Sequence, residues 1–203
     1  MKNFKPSFLS TKQALCIVLG IIFLCFLLNS KPVHSEELKV PEIVFEQGKI
    51  TEIKDGDTFE VNINGEDRTC RLLGIDTPEK FKGKKLNNDV NKTGVKKIVH
   101  LEAGAQASEY AKNYFEQRFS PDVWVHVFKK DLYGRDLCIV ASQDLSPTIE
   151  DSYNCHVLLD GYAVFYKGGK DLKKIYRDEF KKCDLREDGL YKTFPVLMDK
   201  LRN

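Results

Sequence analysis

The stretch Thr58-Phe59-Glu60-Val61-Asn62-Ile63-Asn64-Gly65-Glu66-Asp67-Arg68-Thr69-Cys70-Arg71-Leu72-Leu73-Gly74-Ile75 decides the fold class. Phe59, Val61 and Ile63 alternate with Glu60 and Asn62, the period of two that turns one face of a strand to a core and the other to water. Asn64-Gly65 follows where a type I′ hairpin turn needs two residues of positive φ. Arg68–Ile75 then reads as the returning strand, and Lys49–Lys54 upstream as the strand before both. Such a meander brings residues distant in sequence to one end of a sheet.

Downstream, Val123, Val125 and Val127 alternate with Trp124, His126 and Phe128 in a fourth strand. A fifth runs from Arg135 to Val140, with Leu132-Tyr133-Gly134 as the turn between them. Ala107, Tyr110, Ala111, Tyr114 and Phe115 recur on one side of a helix over Ala103–Phe119, which Pro121 ends. Ser152–Leu159 reads as a short helix stopped by Gly161. Asp171–Leu185 reads as another, with Asp171 as N-cap and Gly189 past its end. These five strands and three helices predict an α+β, mainly β chain, a five-stranded OB-type barrel with three packed helices.

The chain has 203 residues, 42% of them hydrophobic, with 13 glycines, 7 prolines and one long apolar run. That excludes collagen-like, disordered and multi-span membrane chains. The net charge of +2 misleads, because residues 1–35 hold four lysines and no acid, leaving 28 basic and 30 acidic residues in 36–203. Residues 1–35 have the order of a secretory signal: lysines, the apolar run Ala14–Leu28, then Asn29-Ser30-Lys31. Cleavage before Glu36 is the favoured reading, and an uncleaved anchor through residues 14–28 the alternative. Either way the chain is expected to be exported or held at the cell envelope. Glu36–Gly48 reads as a linker, residues 49–192 as one domain acting as a monomer, and 193–203 as a tail.

Cys16 and Cys25 fall in the leader, leaving Cys70, Cys138, Cys155 and Cys183 in the body. In an oxidising compartment these form one or two disulfides; as small buried residues in apolar strands they stay thiols, and the sequence leaves both open. No Cys-x-x-Cys or His-x-x-x-His spacing is present, which argues against zinc. Glu79–His100 is a polar segment with seven lysines, either a solvated loop or a flap that attracts phosphate; Lys84 and Lys85 are its candidate substrate contacts.

The chemistry concentrates in Asp55-Gly56-Asp57-Thr58 and Arg71-Leu72-Leu73-Gly74-Ile75-Asp76-Thr77-Pro78-Glu79. The hairpin can set Asp57 beside Asp76, so that two carboxylates and the Thr77 carbonyl hold a hard cation. Glu79, past a stiffening proline, is placed to act as a general base on water. Arg71 and Arg135 carry permanent, bidentate charge suited to a five-coordinate phosphorus. Tyr133 offers a face on which a base can stack. Together these point to metal-assisted phosphodiester hydrolysis.

The sequence resembles the staphylococcal nuclease (thermonuclease) family over Ile50–Tyr191. The resemblance is carried by those two runs, Gly104-Ala105-Gln106-Ala107-Ser108, Asp131-Leu132-Tyr133-Gly134-Arg135 and Gly189-Leu190-Tyr191. It implies an OB barrel and a Ca²⁺-dependent nuclease acting on DNA and RNA and leaving 3′-phosphates. Asp57, Asp76 and Thr77 would bind Ca²⁺, Glu79 would activate water, and Arg71 and Arg135 would neutralise the transition state. Leu132 stands where the family often has Lys or Arg, Tyr191 where it has Trp, and Glu79–His100 is longer than usual. The rival expectation is a non-catalytic OB module that binds single-stranded nucleic acid or a protein partner.

Overall fold

A computed structural model describes residues 43–118, 120–166, 172 and 174–202. The leader, residues 36–42 of the linker, Phe119 and the expected N-cap Asp171 lie outside them. The strands are β1 (Glu46–Ile53), β2 (Thr58–Ile63), β3 (Glu66–Leu72), β4 (Ile75–Asp76), β5 (Asp122–Lys130), β6 (Asp136–Ser142) and β7 (Val164–Phe165). The helices are α1 (Lys84–Thr93), α2 (Lys97–Glu116), α3 (Tyr153–Leu159), α4 (Lys174–Cys183), α5 (Leu190–Thr193) and α6 (Pro195–Arg202).

Five strands close a barrel in the order β1-β2-β3-β6-β5, the expected OB-type architecture. The β2–β3 hairpin pairs Ile63 with Glu66 and Thr58 with Arg71, and Asn64 and Gly65 take φ of 54° and 86° as its turn requires. β1 begins within the expected linker, because Glu46 to Lys49 pair with Val125 to Asp122 of β5 and so close the barrel. β3 and β6 run parallel and close it on the other side.

The strand expected over Arg68–Ile75 is broken at Gly74. There φ is +77°, and a Cβ would stand 2.4 Å from the Phe180 ring, so only glycine fits. The chain leaves the barrel at this turn, and Ile75 and Asp76 pair with Phe165 and Val164 of β7. Asp76 therefore sits on a small second sheet and not at the end of a long barrel strand.

Within the lysine-rich segment Lys84, Lys85 and Lys92 lie in a helix and Lys97 opens the next, while Lys80, Lys82 and Lys96 lie in the connections. α1 buries Leu86 and Thr93, and Gly94 closes it in the left-handed region with its N–H on the Val90 carbonyl. α2 begins earlier than expected, at Lys97. The expected tail also folds. α6 buries Leu197 and Met198, and Lys200 Nζ reaches the Thr93 carbonyl at 2.7 Å while Lys92 Nζ reaches the Leu201 carbonyl at 3.2 Å. Each helix thus supplies a cation to the other's C-terminal carbonyls, where the helix dipole favours it.

Two cores result. Phe59, Val61, Ile63, Leu72, Val123, Val125 and Ile139 fill the barrel, with Phe115 and Tyr153 of the helices packed against them. Ala103 and Ala107 of α2 meet Val164, Leu190, Tyr191, Leu197 and Met198 in the second. The cysteines pair as Cys70–Cys138 and Cys155–Cys183, so the disulfide reading holds for all four.

Candidate active site

The Asp55-Gly56-Asp57-Thr58 run makes the turn into β2. Asp55 Oδ1 accepts the Asp57 N–H at 3.1 Å, a local bond that Asp makes readily in turns. Gly56 is tightly enclosed: its carbonyl accepts the Tyr153 hydroxyl at 3.0 Å, and a Cβ there would lie 2.9 Å from the Thr77 methyl. The turn is thereby locked against the segment that carries Thr77.

Asp57 is 5% exposed, and both of its carboxylate oxygens accept hydrogen bonds. Its Oδ2 accepts the Thr77 N–H at 2.8 Å and the Thr77 hydroxyl at 3.0 Å and forms an ion pair with Arg71 Nη1 at 3.1 Å; Oδ1 accepts the Thr58 hydroxyl at 3.0 Å. Burial pushes this carboxyl up, but the charges of Arg71 and Lys85 and the Thr77 N–H outweigh it and hold it below the usual carboxylate range. Asp55 behaves oppositely. Burial first and the Asp57 charge second raise it to about 7.

Arg71 fastens the two acid-bearing segments together. Nη2 bonds Asp76 Oδ1 at 2.7 Å, and Nη1 reaches the Ile75 carbonyl at 3.0 Å as well as Asp57. The predicted juxtaposition of Asp57 and Asp76 is therefore present, with a guanidinium between them. Lys85, from the first turn of α1, completes the group: its ammonium pairs with Glu79 and lies 3.2 Å from Asp76 Oδ1 and 3.8 Å from Asp89. Burial alone would lower the Lys85 ammonium; Asp76, Asp57 and Glu79 instead hold it above its ordinary value.

An open cleft of about 620 Å³ runs from this cluster to the β5–β6 turn and is lined by Asp57, Arg71, Asp76, Glu79, Lys85, Tyr133 and Arg135. Arg135 faces the cleft from the opposite side. Its Nε and Nη2 both bond Asp131 Oδ2 at 2.8 Å, and Asp131 Oδ1 accepts the N–H groups of Tyr133 and Arg135 at 2.8 and 3.0 Å. One carboxylate thus shapes the turn and aims the guanidinium. Tyr133 and Leu132 project into solvent, 84% and 101% exposed. Lys84, unlike Lys85, is not among the residues lining the cleft.

Tyr166 lines the cleft too and was not foreseen. Its N–H donates to the Gly74 carbonyl at 3.0 Å, just beyond the β4–β7 pairing. Nothing local in the sequence marks it, since its place depends on two short strands about 90 residues apart finding each other. Asp131 was legible as part of a turn, but its grip on Arg135 was not.

The donor set suits a hard cation. Asp57, Asp76 and the Thr77 carbonyl offer only oxygen. At this end of the cleft Asp57, Asp76 and Glu79 meet the two cations Arg71 and Lys85, while Lys129, Lys130, Asp131 and Arg135 line the other end, so a divalent ion would find its carboxylates on the Asp57–Asp76 side alone. Among the described residues no group of three or more His, Cys, Asp or Glu side chains forms a ready-made cage. Of the three predicted ligands, Asp57 and Asp76 line the cleft, whereas Thr77 is buried and is not among its lining residues.

A profile of the staphylococcal nuclease homologue family matches residues 69–186. An uncharacterised protein of Methanocaldococcus jannaschii is 34% identical over 154 residues, covering 71% of this chain and 70% of that protein. An uncharacterised protein of Bacillus anthracis is 35% identical over 107 residues, covering 53% of this chain and 43% of its own length.

Proposed function

The chain belongs to the staphylococcal nuclease homologue family, and on that premise we propose that it is an exported, Ca²⁺-dependent nuclease. It hydrolyses phosphodiester bonds of DNA and RNA with little sequence specificity and leaves 3′-phosphates. The observation that carries this reading is Arg71 joined to both Asp57 and Asp76 in a cleft that also holds Glu79 and faces Arg135.

Asp57, Asp76 and the Thr77 carbonyl would hold the Ca²⁺, which polarises a phosphoryl oxygen and offsets charge when bound. Glu79 takes the proton from the attacking water. Arg71 and Arg135 donate to the phosphate oxygens and stabilise the extra negative charge of the five-coordinate phosphorus. Asp131 keeps Arg135 turned to its task. Tyr133 and Tyr166 offer aromatic faces to bases, which need not be read by their edges. With a slightly acidic body, attraction for the polyanion is local and weakens with salt.

The test is digestion of single-stranded DNA and of RNA by the purified body, with Ca²⁺ or with chelator, followed by analysis of product ends. Loss of substrate only with Ca²⁺, giving 3′-phosphates, is the expected result. Retardation of the nucleic acid without cutting in either condition would replace this reading with the non-catalytic module. Whether residues 1–35 are removed on export is read from the N-terminus of the protein recovered from its source cells.

A further inference from the structure

The cleft is shared by two halves of the barrel that the sequence keeps apart. Arg71 belongs to β3, within the β2–β3 hairpin, and Arg135 to the turn before β6, within the β5–β6 hairpin. Where these halves meet, β3 and β6 are parallel, so no hairpin joins them. Their ladder is the shortest in the barrel: Cys70 opposite Asp136, Arg71 opposite Leu137, Leu72 opposite Cys138.

One end of this seam is held by Asn154 of α3, which is fully buried. Its Nδ2 donates to the Leu73 and Cys138 carbonyls at 3.0 Å each, and its Oδ1 accepts the Val140 N–H at 3.0 Å. The other end, where Cys70 faces Asp136 beside Arg135, carries a different device. The Cys70–Cys138 bond crosses the seam diagonally between residues 68 apart in sequence, and its first sulfur belongs to the residue next to Arg71.

We propose that Cys70–Cys138 is a positioning bridge: closed, it sets the spacing at which Arg71 and Arg135 act on one phosphate, and the folded chain without it turns over more slowly, by about tenfold or more. The inference rests on the proposed function, which gives the two arginines their task. Closing the bridge removes two electrons and two protons from the thiols and delivers them to a disulfide-bearing oxidant, which leaves as its dithiol. Both cysteines are fully buried in the barrel core, so the bond is shielded from attack once the protein has folded. A chain that folds where thiols are kept reduced is therefore the slow form, and one that folds where disulfides form is the working nuclease. Cys155–Cys183 joins α3 to α4, neither of which lines the cleft, and contributes stability alone.

The two bridges therefore control for each other. Cys70→Val with Cys138→Ala is compared with Cys155→Ala with Cys183→Ala and with the oxidised wild type. kcat and KM are measured on single-stranded DNA in Ca²⁺, at a temperature where circular dichroism shows all three folded. The first variant should lose about tenfold or more in kcat with KM little changed, since displacing a catalytic group by an ångström costs up to about a hundredfold. The second should keep kcat within about twofold while unfolding at a lower temperature. Wild-type kcat in the first variant overturns the inference. So does a first variant that cannot fold, because the bridge then serves the fold and not the site. A wild type that cuts beside a first variant that cuts equally well removes this inference alone; a wild type that never cuts removes the proposed function and this inference with it.

Discussion

Gly104 lies directly against the backbone of Glu79: a Cβ at Gly104 would stand 2.4 Å from the Glu79 carbonyl carbon and 2.5 Å from the Lys80 nitrogen. α2 thus serves as the wall that fixes where the proposed base sits, and its missing side chain makes the approach possible. Gly104→Ala gains about 1 kcal/mol of helix propensity, but the overlap with backbone cannot be relieved by a rotamer and costs about 1–3 kcal/mol. The expected outcome is a folded protein of similar or slightly lower stability with kcat reduced about tenfold to a hundredfold. Thermal unfolding and steady-state kinetics on the same preparation check it. Unchanged kcat would mean that Glu79 tolerates displacement and does not act through a fixed geometry.

Glu79→Gln tests the base itself. The amide keeps the size of the side chain but cannot accept the proton, so kcat should fall about 10²- to 10⁴-fold, while binding of a nucleotide inhibitor stays within a few fold. An equal loss in turnover and binding would make Glu79 a binding residue.

Asn154 is expected to be the costliest single polar residue to remove. Asn154→Ala strips partners from the Leu73 and Cys138 carbonyls and the Val140 N–H. A buried group left unpaired costs about 1–3 kcal/mol, so a loss of about 3 kcal/mol or more is expected in urea unfolding of the oxidised protein. A loss below about 1 kcal/mol would show that the β3–β6 seam holds without this amide.

The barrel was legible because period-two alternation and the Asn64-Gly65 turn are local signals, and local signals survive without knowledge of the rest of the chain. The acids and Arg71 were legible for the same reason: they sit within one hairpin and the turn that follows it. What escaped depends on distant partners. α1 has only Leu86 and Val90 as apolar residues in ten positions; they share one face at a spacing of four, but one such pair among lysines and asparagines is a short signal, and the helix is stabilised by α6 more than a hundred residues on. The break at Gly74 becomes necessary only when Phe180 occupies the space beside it. Tyr166 enters the cleft only through the β4–β7 pairing. Leu132 read as a missing phosphate contact, and the structure leaves it fully exposed at the rim.

His100 makes stability depend on pH in a defined direction. It is fully buried, with Nε2 3.0 Å from the Thr93 hydroxyl, and burial, then the Lys85 charge, push it below its ordinary 6.5. Above that value both folded and unfolded chains carry the neutral ring, and the histidine adds no pH dependence. As pH falls through 6.5 the unfolded chain takes up the proton first, and stability is lost until the depressed folded value is reached. Asp55, raised to about 7 by burial, acts with the opposite sign over a neighbouring range, so the test is a difference. His100→Gln should gain stability relative to wild type between about pH 7.5 and about pH 5, with Asp55 cancelling because both proteins contain it. No change in that difference would place the titration elsewhere.

Lys85 and a divalent cation draw on the same oxygen. Asp76 Oδ1 accepts a hydrogen bond from Arg71 and forms an ion pair with the Lys85 ammonium, and Glu79 is paired to Lys85 as well. A cation bound through Asp76 must therefore displace Lys85 or endure its charge close by, and either cost disappears in Lys85→Met. Lys85 is 46% exposed, so solvent screens much of the repulsion, and the expected gain in Ca²⁺ affinity is modest, about fivefold to tenfold at low salt and less at high salt. Calorimetry with Ca²⁺, or the luminescence of Tb³⁺ excited through neighbouring tyrosines, reads this without reference to turnover. The freed ammonium also becomes available to phosphate in the wild type, so Lys85→Met should weaken nucleotide binding in Ca²⁺ even as it tightens Ca²⁺ binding. Affinities for both that fall together would mean that Lys85 supports the fold of the cluster and does not compete with the ion.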